Sequence, residues 1–340
     1  MARSNQRRGP SRAVATLAIA LVVACQGAQP VAIPADVGVG PRSTFAVAAV
    51  TGLFGLGADG KILGRIVDLP ARSVPSTVAV DPSGSVLYFA LAQTTPDRGF
   101  GADIYRVKVD GTDLRPVVAR DRPNVFYASP TFSESGALFV HRRLAKEDPD
   151  HPGIYLEAVD SIERVDLATG QSRTVIADAA EPAAVLHGAR LVFVHMDRGQ
   201  QAGLWSAGAD GSQPGPFLKT GDRFWFVQAP RISPAGDQVV WSSAGRATSG
   251  RDGAPVARTH KTGLAHLDQP SELYVAPLGG TSLKSIMSTG DDVVPAWSPD
   301  GTRIAYIALA TFYVVSAADG KVLLQQPTAG FNYGDPVWLR

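Results

Sequence analysis

Two histidines stand where a site could be built. His141 and His195 each follow an apolar run, two residues after a phenylalanine, Phe139 and Phe193. A neutral imidazole can ligate a metal or act as a general base near neutral pH. Aromatic residues precede three apolar runs: Phe126-Tyr127, Phe224-Trp225-Phe226, and Phe331 with Tyr333. Tyr127, Trp225 and Tyr333 each join a flat apolar body to a polar tip, which suits contact with a ligand. The competing expectation is structural, with the aromatics wedged between sheets and the histidines capping strand ends. His260 and His266 lie in Gly245–Gln269, a stretch rich in Gly, Thr and Arg that reads as a solvated loop.

No G-x-S-x-G, H-E-x-x-H, C-x-x-C or P-loop occurs. Gly55-Leu56-Gly57-Ala58-Asp59-Gly60 fits G-x-G-x-x-G, with Asp81 21 residues on. The following Lys61–Val67 reads as a strand, however, where a phosphate-binding loop needs a helix N-terminus. Asp291 and Asp292 are neighbours, and neighbours on extended chain point to opposite faces, so they form no acid/base dyad. No D-x-D-x-D-G run is present, and the repeated Asp-Gly pairs are turn chemistry. No metal, cofactor or catalytic residue is assigned.

The elements that would position these side chains are repeats. Val294–Ala308 reads as a strand, a Ser298-Pro299-Asp300-Gly301 turn and a second strand apolar on both faces. Take Trp297 as reference: Pro295 stands two before it and Gly301 four after. Ile232, Phe132 and Ala184 keep both landmarks, Val80 keeps the glycine, and Trp338 keeps the proline. These six positions are separated by 52, 52, 48, 65 and 41 residues, the mark of repeated supersecondary units. Pro295-Ala296-Trp297-Ser298-Pro299-Asp300-Gly301 and its copies resemble the TolB-like propeller repeat, over almost everything after residue 44.

That resemblance implies an all-β, six-bladed β-propeller over residues 44–340. Each blade has inner strands A and B around the signature turn and outer strands C and D around a second turn. No inner strand precedes Phe45–Val50, and none follows Asp335–Arg340, so the two ends are expected to pair and close the ring. The D–A and B–C connections emerge on one face, which puts the histidines and aromatics together. Gln93–Asp103, Arg142–Asp160 and Gly245–Gln269 read as long B–C loops.

The N-terminus reads separately. Arg3, Arg7, Arg8 and Arg12 precede an apolar run, Ala13–Ala24, too short to span a bilayer but suited to a signal-peptide core. It ends in Leu21-Val22-Val23-Ala24-Cys25, which resembles a bacterial lipobox and implies lipidation of Cys25, the only cysteine. Residues 1–24 are thus a lipoprotein signal peptide and 25–43 a flexible tether rich in Gly, Pro and Ala. Removing residues 1–24 leaves 28 basic against 31 acidic residues, a net charge of −3, so no attraction to nucleic acid is expected.

A monomeric, extracytoplasmic module in the bacterial cell envelope follows, anchored to the membrane by lipid. It would bind or scaffold an envelope protein, peptide or glycan through Tyr127, Trp225, Tyr333, His141 and His195. The alternative is a propeller enzyme, a hydrolase or lyase with its active site at the axial mouth, where the two histidines would serve as ligands or base.

Overall fold

The computed structural model describes residues 33–150, 155–184, 190–197, 200–247 and 271–339, with the backbone alone at residues 155–157, 200, 223, 225 and 245–247. The described chain is all β apart from a 3-10 turn at Gly40–Arg42. Short apolar runs separated by Asp-Gly and Ser-containing turns leave no room for longer helices.

The first sheet contains β1 (Phe45–Ala49), β2 (Gly52–Leu56), β3 (Ile62–Val67) and, outside β1, β24 (Asp335–Trp338). Phe45 lies opposite Trp338 and Ala48 opposite Asp335, so the two chain ends share one sheet. Eight strands form the next: β4 (Val74–Val80), β5 (Val86–Thr95), β6 (Gly99–Lys108), β7 (Arg115–Val118), β8 (Val125–Phe132), β9 (Leu138–Glu147), β10 (Tyr155–Val165) and β11 (Ser172–Ala177). Three four-stranded sheets follow. They are β12 (Ala179–Ala184) to β15 (Gly215–Pro216), with β13 (Arg190–Asp197) and β14 (Gln200–Gly208) between. Then come β16 (Arg223–Ile232), β17 (Gln238–Ala247), β18 (Glu272–Pro277) and β19 (Lys284–Ser288). The last sheet is β20 (Ala296–Trp297), β21 (Arg303–Ala308), β22 (Thr311–Ser316) and β23 (Val322–Pro327).

This propeller-like arrangement differs from six separate blades in a closed ring. Four sheets are four-stranded, and the other eight strands are one sheet, because β6 and β8 pair in parallel at Ala102 and Phe126. Strand pairing does not continue around a ring: among the described residues the sheets otherwise meet through side chains and single backbone bonds such as Lys219 N–H to Gly280 O at 2.7 Å. Cores fill the seams. Phe45 of the first sheet packs against Phe312 of the last, ring centroids 4.8 Å apart, and against Trp338 at 4.4 Å. Leu138 and Val140 pack with Tyr88 and Ile104, whereas Phe139 packs with Phe193, so β9 is apolar on both faces. Turns interlock as well: a side chain at Gly111 (φ +86°) would meet the carbonyl of Ile66 in the preceding sheet at 2.4 Å.

The two faces differ. One carries the tight signature turns and the second turns; it is the turn face. On the other, the B–C connections expected as long loops are extensions of the ladders. β5–β6 pair out to Thr95 and Gly99, and β9–β10 to Glu147 and Tyr155. β16–β17 pair from Arg223 and Ala247, beyond which residues 248–270 lie outside the described residues. By contrast β1–β2 and β21–β22 end in two-residue turns, leaving Val50 (64%) and Leu309 (63%) exposed. The hairpin face therefore has a raised side and a low side. Part of the expected tether also belongs to the fold, since Arg65 donates its N–H to Asp36 O at 2.8 Å and Val39 is fully buried.

Candidate functional site

The strands that carry the repeat reference positions, β4, β8, β12, β16, β20 and β24, are the inner strands, which line the axis of a propeller. Four of these inner strands break register, between Ser76 and Ala79, Ala128 and Thr131, Ala180 and Ala183, and Gln228 and Arg231. In the breaks Thr77, Ser129, Glu181 and Ala229 adopt φ of +46°, +48°, +49° and +50°. Positive φ is unfavourable for residues with a Cβ and persists only where the surroundings enforce it. Three of the four bulges turn an N–H toward the preceding inner strand. Thr77 N–H donates to the Asp335 carboxylate, Ser129 N–H to Thr77 Oγ1 at 2.9 Å, and Ala229 N–H to Glu181 Oε2 at 2.5 Å. All five residues stand three before a repeat reference position.

Charge gathers beside this relay. Arg231, two residues after Ala229, donates Nη1–H to Pro230 O at 2.9 Å. Burial pulls its pKa down, opposed by the charges of Asp335 and Glu181. Burial likewise pushes the Glu181 carboxyl up, opposed by the Ala229 N–H and the charges of His141, Arg231 and Arg143. Both side chains keep partial contact with solvent, as expected beside an axial channel.

The residues singled out from sequence are placed differently. His141 lies within β9, not at its end, opposite Ala128 and Ile162. It is 8% exposed, and its Nε2 stands 2.7 Å from Asp160 Oδ1. Arg143 also holds Asp160, with Nε at 2.8 Å and Nη2 at 3.2 Å. Burial would raise the Asp160 pKa, but His141 and Arg143 outweigh it and hold the carboxyl below its ordinary value. His195 lies within β13, Nδ1 3.0 Å from Asp178 O and its ring against Trp205 at 4.0 Å, tilted by 33°. A carbonyl only accepts, so Nδ1 carries the proton.

The two histidines do not occupy matching repeat positions. Leu138 and Leu191 are the equivalents, lying opposite Phe132 and Ala184, so His141 is three residues beyond and His195 four. Both nevertheless serve one seam: Phe139 and Phe193 share a core cluster, and Asp178 N–H donates to Asp160 O at 2.9 Å. A cavity of about 230 Å³ adjoins His195, lined by Phe193, Trp205, Ile176 and Pro214.

Of the aromatics, Tyr127 is buried, 6% exposed, in the core with Tyr88 and Phe132, and burial pushes its hydroxyl pKa up. Tyr333 is half-buried in the connection to β24, whereas neighbouring Phe331 is buried and stacks on Phe54 at 5.4 Å. The Trp225 side chain, Cys25, His260 and His266 lie outside the described residues. Sequence reasoning missed Arg120, which is 1% exposed. Its Nη1 stands 2.6 Å from Asp103 Oδ2, and its Nη2 donates to Gly99 O at 2.6 Å, pinning the β5–β6 hairpin. Among the described residues no three His, Cys, Asp or Glu side chains gather to hold a metal ion.

No protein-family profile matches the chain, and no curated protein matches it. Solved structures do. A protein assigned as a TolB from Agrobacterium tumefaciens superposes with a TM-score of 0.51 at 18% identity, over 73% of this chain and 79% of that one. An oligogalacturonate lyase in complex with manganese gives a TM-score of 0.50 at 12% identity, over 84% and 78%. At such identities the likeness is one of fold, and this chain has a TolB-like propeller fold.

Proposed function

We propose that this chain is a lipid-anchored envelope protein whose propeller, six-bladed and closed, binds a protein, peptide or glycan on its hairpin face. The eight-stranded sheet counts as two blades joined by the single Ala102–Phe126 bridge. Supporting closure, a core cluster joins Phe45 and Phe54 of the first sheet to Ile307 and Phe312 of the last.

The observation that carries the binding reading is the unevenness of the hairpin face. Raised ladders on the β5–β6, β9–β10 and β16–β17 pairs flank a low side with exposed Val50 and Leu309 and half-buried Tyr333. A recess bounded by a wall, with apolar residues at its open side, suits a macromolecular partner. The turn face offers short turns, polar apart from the exposed Leu167. A photo-crosslinking residue in place of Leu309 is expected to capture a partner from envelope extracts, and one in place of Ser83, on the turn face, is not. Equal capture at both positions would overturn the reading.

The enzyme reading draws on the same interior charges, Glu181, Arg231 and His141. The His141 imidazole, however, is already held by Asp160, which Arg143 also occupies. A base so engaged and so buried is poorly placed to receive a substrate proton. The anchor is tested by Cys25→Ser, which should release the protein from the membrane fraction; continued detergent-sensitive sedimentation would exclude a lipid on Cys25.

A further inference from the structure

We infer that the axial end of β16 binds a small zwitterion, with Arg231 taking its carboxylate and Glu181 its ammonium group. The inference does not depend on the macromolecular partner proposed above.

A guanidinium carries five N–H donors in a planar fork matched to a carboxylate. Among the described residues Arg231 uses one donor, to Pro230 O, and forms no ion pair. Arg231 is only partly exposed, and most of its donors are left to a ligand or to water. The nearby carboxylates do not move onto it, because the bulges hold them. Glu181 Oε2 accepts the Ala229 N–H, and the Asp335 carboxylate accepts the Thr77 N–H. Glu181 is itself at φ +49°, a conformation kept against its own preference. The result is a cation and anions fixed apart on different inner strands. Geometry ties Glu181 to this stretch of β16: its Oε2 accepts the N–H of Ala229, two residues before Arg231.

Charge selects the ligand class. A simple anion would meet Arg231 but also the charges of Glu181 and Asp335. A simple cation would meet Glu181 but also Arg231. A molecule bearing both groups offers each protein charge its complement, and its carboxylate can take the guanidinium fork in two parallel hydrogen bonds. Thr77 Oγ1 and Thr131 Oγ1 accept N–H groups across neighbouring inner strands, from Ser129 at 2.9 Å and Ala184 at 3.3 Å, and each hydroxyl can still donate its own proton.

Ligand-observed NMR on the full chain tests this with glycine, β-alanine, acetate and methylammonium as probes. One of the zwitterions is expected to bind at least about tenfold more tightly than either single-charge probe. Arg231→Gln and Glu181→Gln should each weaken it about tenfold or more, while Ser83→Ala leaves it unchanged. Should Arg231→Gln unfold the protein, Arg231→Lys retains the charge without the fork and should still weaken binding. Acetate binding as tightly as the zwitterions, Arg231→Lys binding like wild type, or no zwitterion binding at about 10 mM would each overturn the assignment.

Discussion

The turn face and the hairpin face use the same polar residue types in opposite ways. On the turn face, side chains bond to backbone a few residues away. Asp81 Oδ1 accepts the N–H groups of Ser85 at 3.0 Å and Val86 at 2.9 Å, and Asp300 Oδ1 accepts that of Thr302 at 3.0 Å. On the hairpin face the partners are distant in sequence and buried. Arg120 and Asp103 are 17 residues apart, and His141 and Asp160 are 19 apart. Local contacts shape turns and remain solvated. Distant ones hold the raised ladders in place, and a buried charge left without its partner is expensive. The faces should therefore respond very differently to loss of one polar side chain.

The largest effect is expected at Arg120. Arg120→Ala leaves Asp103 buried without its cation and should lower stability by about 3–5 kcal/mol in chemical denaturation. Replacing both partners, as Arg120→Met with Asp103→Leu, should recover much of that loss, since the cost lies in the orphaned charge. A single variant as stable as wild type would remove the distinction between the faces.

Tyr127 sharpens the contrast between binding and packing on the same face. Its burial with Tyr88 and Phe132 predicts that Tyr127→Ala costs about 3 kcal/mol or more, as for other large aromatics. Tyr127→Phe keeps the ring and should cost far less. If Tyr127→Ala instead lowers partner affinity while the melting temperature stays put, this tyrosine is a surface residue after all.

What was legible in the sequence follows the same division. Proline, an apolar reference residue and glycine recur at fixed offsets because local turn chemistry demands them, so the inner strand pairs could be read directly. The axial bulge could not, although it also recurs. Thr77, Ser129, Glu181 and Ala229 share a backbone conformation and no residue type. Burial of Arg120 was invisible for another reason: nothing local marks a residue whose partner lies 17 positions away. His141 and His195 each stand two residues after a phenylalanine, which reads as one repeat position, whereas the ladder offsets them by one residue. On a strand, one residue exchanges the two faces. Gln93–Asp103 and Arg142–Asp160 read as loops because their polar residues hid strand continuing beyond the core.

The Asp160 cluster gives a smaller, pH-dependent effect. His141 and Arg143 hold the folded Asp160 pKa below its ordinary value. A depressed carboxylate pKa adds stability that is fully present at neutral pH and is lost as pH falls below the ordinary carboxylate range. The urea midpoint should therefore drop between about pH 5 and pH 3, with a shallower drop in Asp160→Asn. Equal slopes in the two proteins would show that Asp160 is not differentially charged on folding.

The smallest effect belongs to the turn face, at Asp300. Its carboxyl lies well below the usual carboxylate range, chiefly through the Ser298 hydroxyl, then the Thr302 N–H and hydroxyl. Those bonds look numerous, yet the side chain is 53% exposed and every partner is within three residues. Water solvates the carboxylate on either side of the folding transition, and screening discounts its charge. Gly301, at φ +69°, retains the turn conformation without the aspartate. Asp300→Ala should thus cost about 1 kcal/mol or less, and Asp300→Asn, which keeps an acceptor oxygen, still less. Measured beside Arg120→Ala under the same conditions, the pair tests the contrast directly. A loss at Asp300 equal to that at Arg120 would mean that the signature turns carry stability beyond their own few residues.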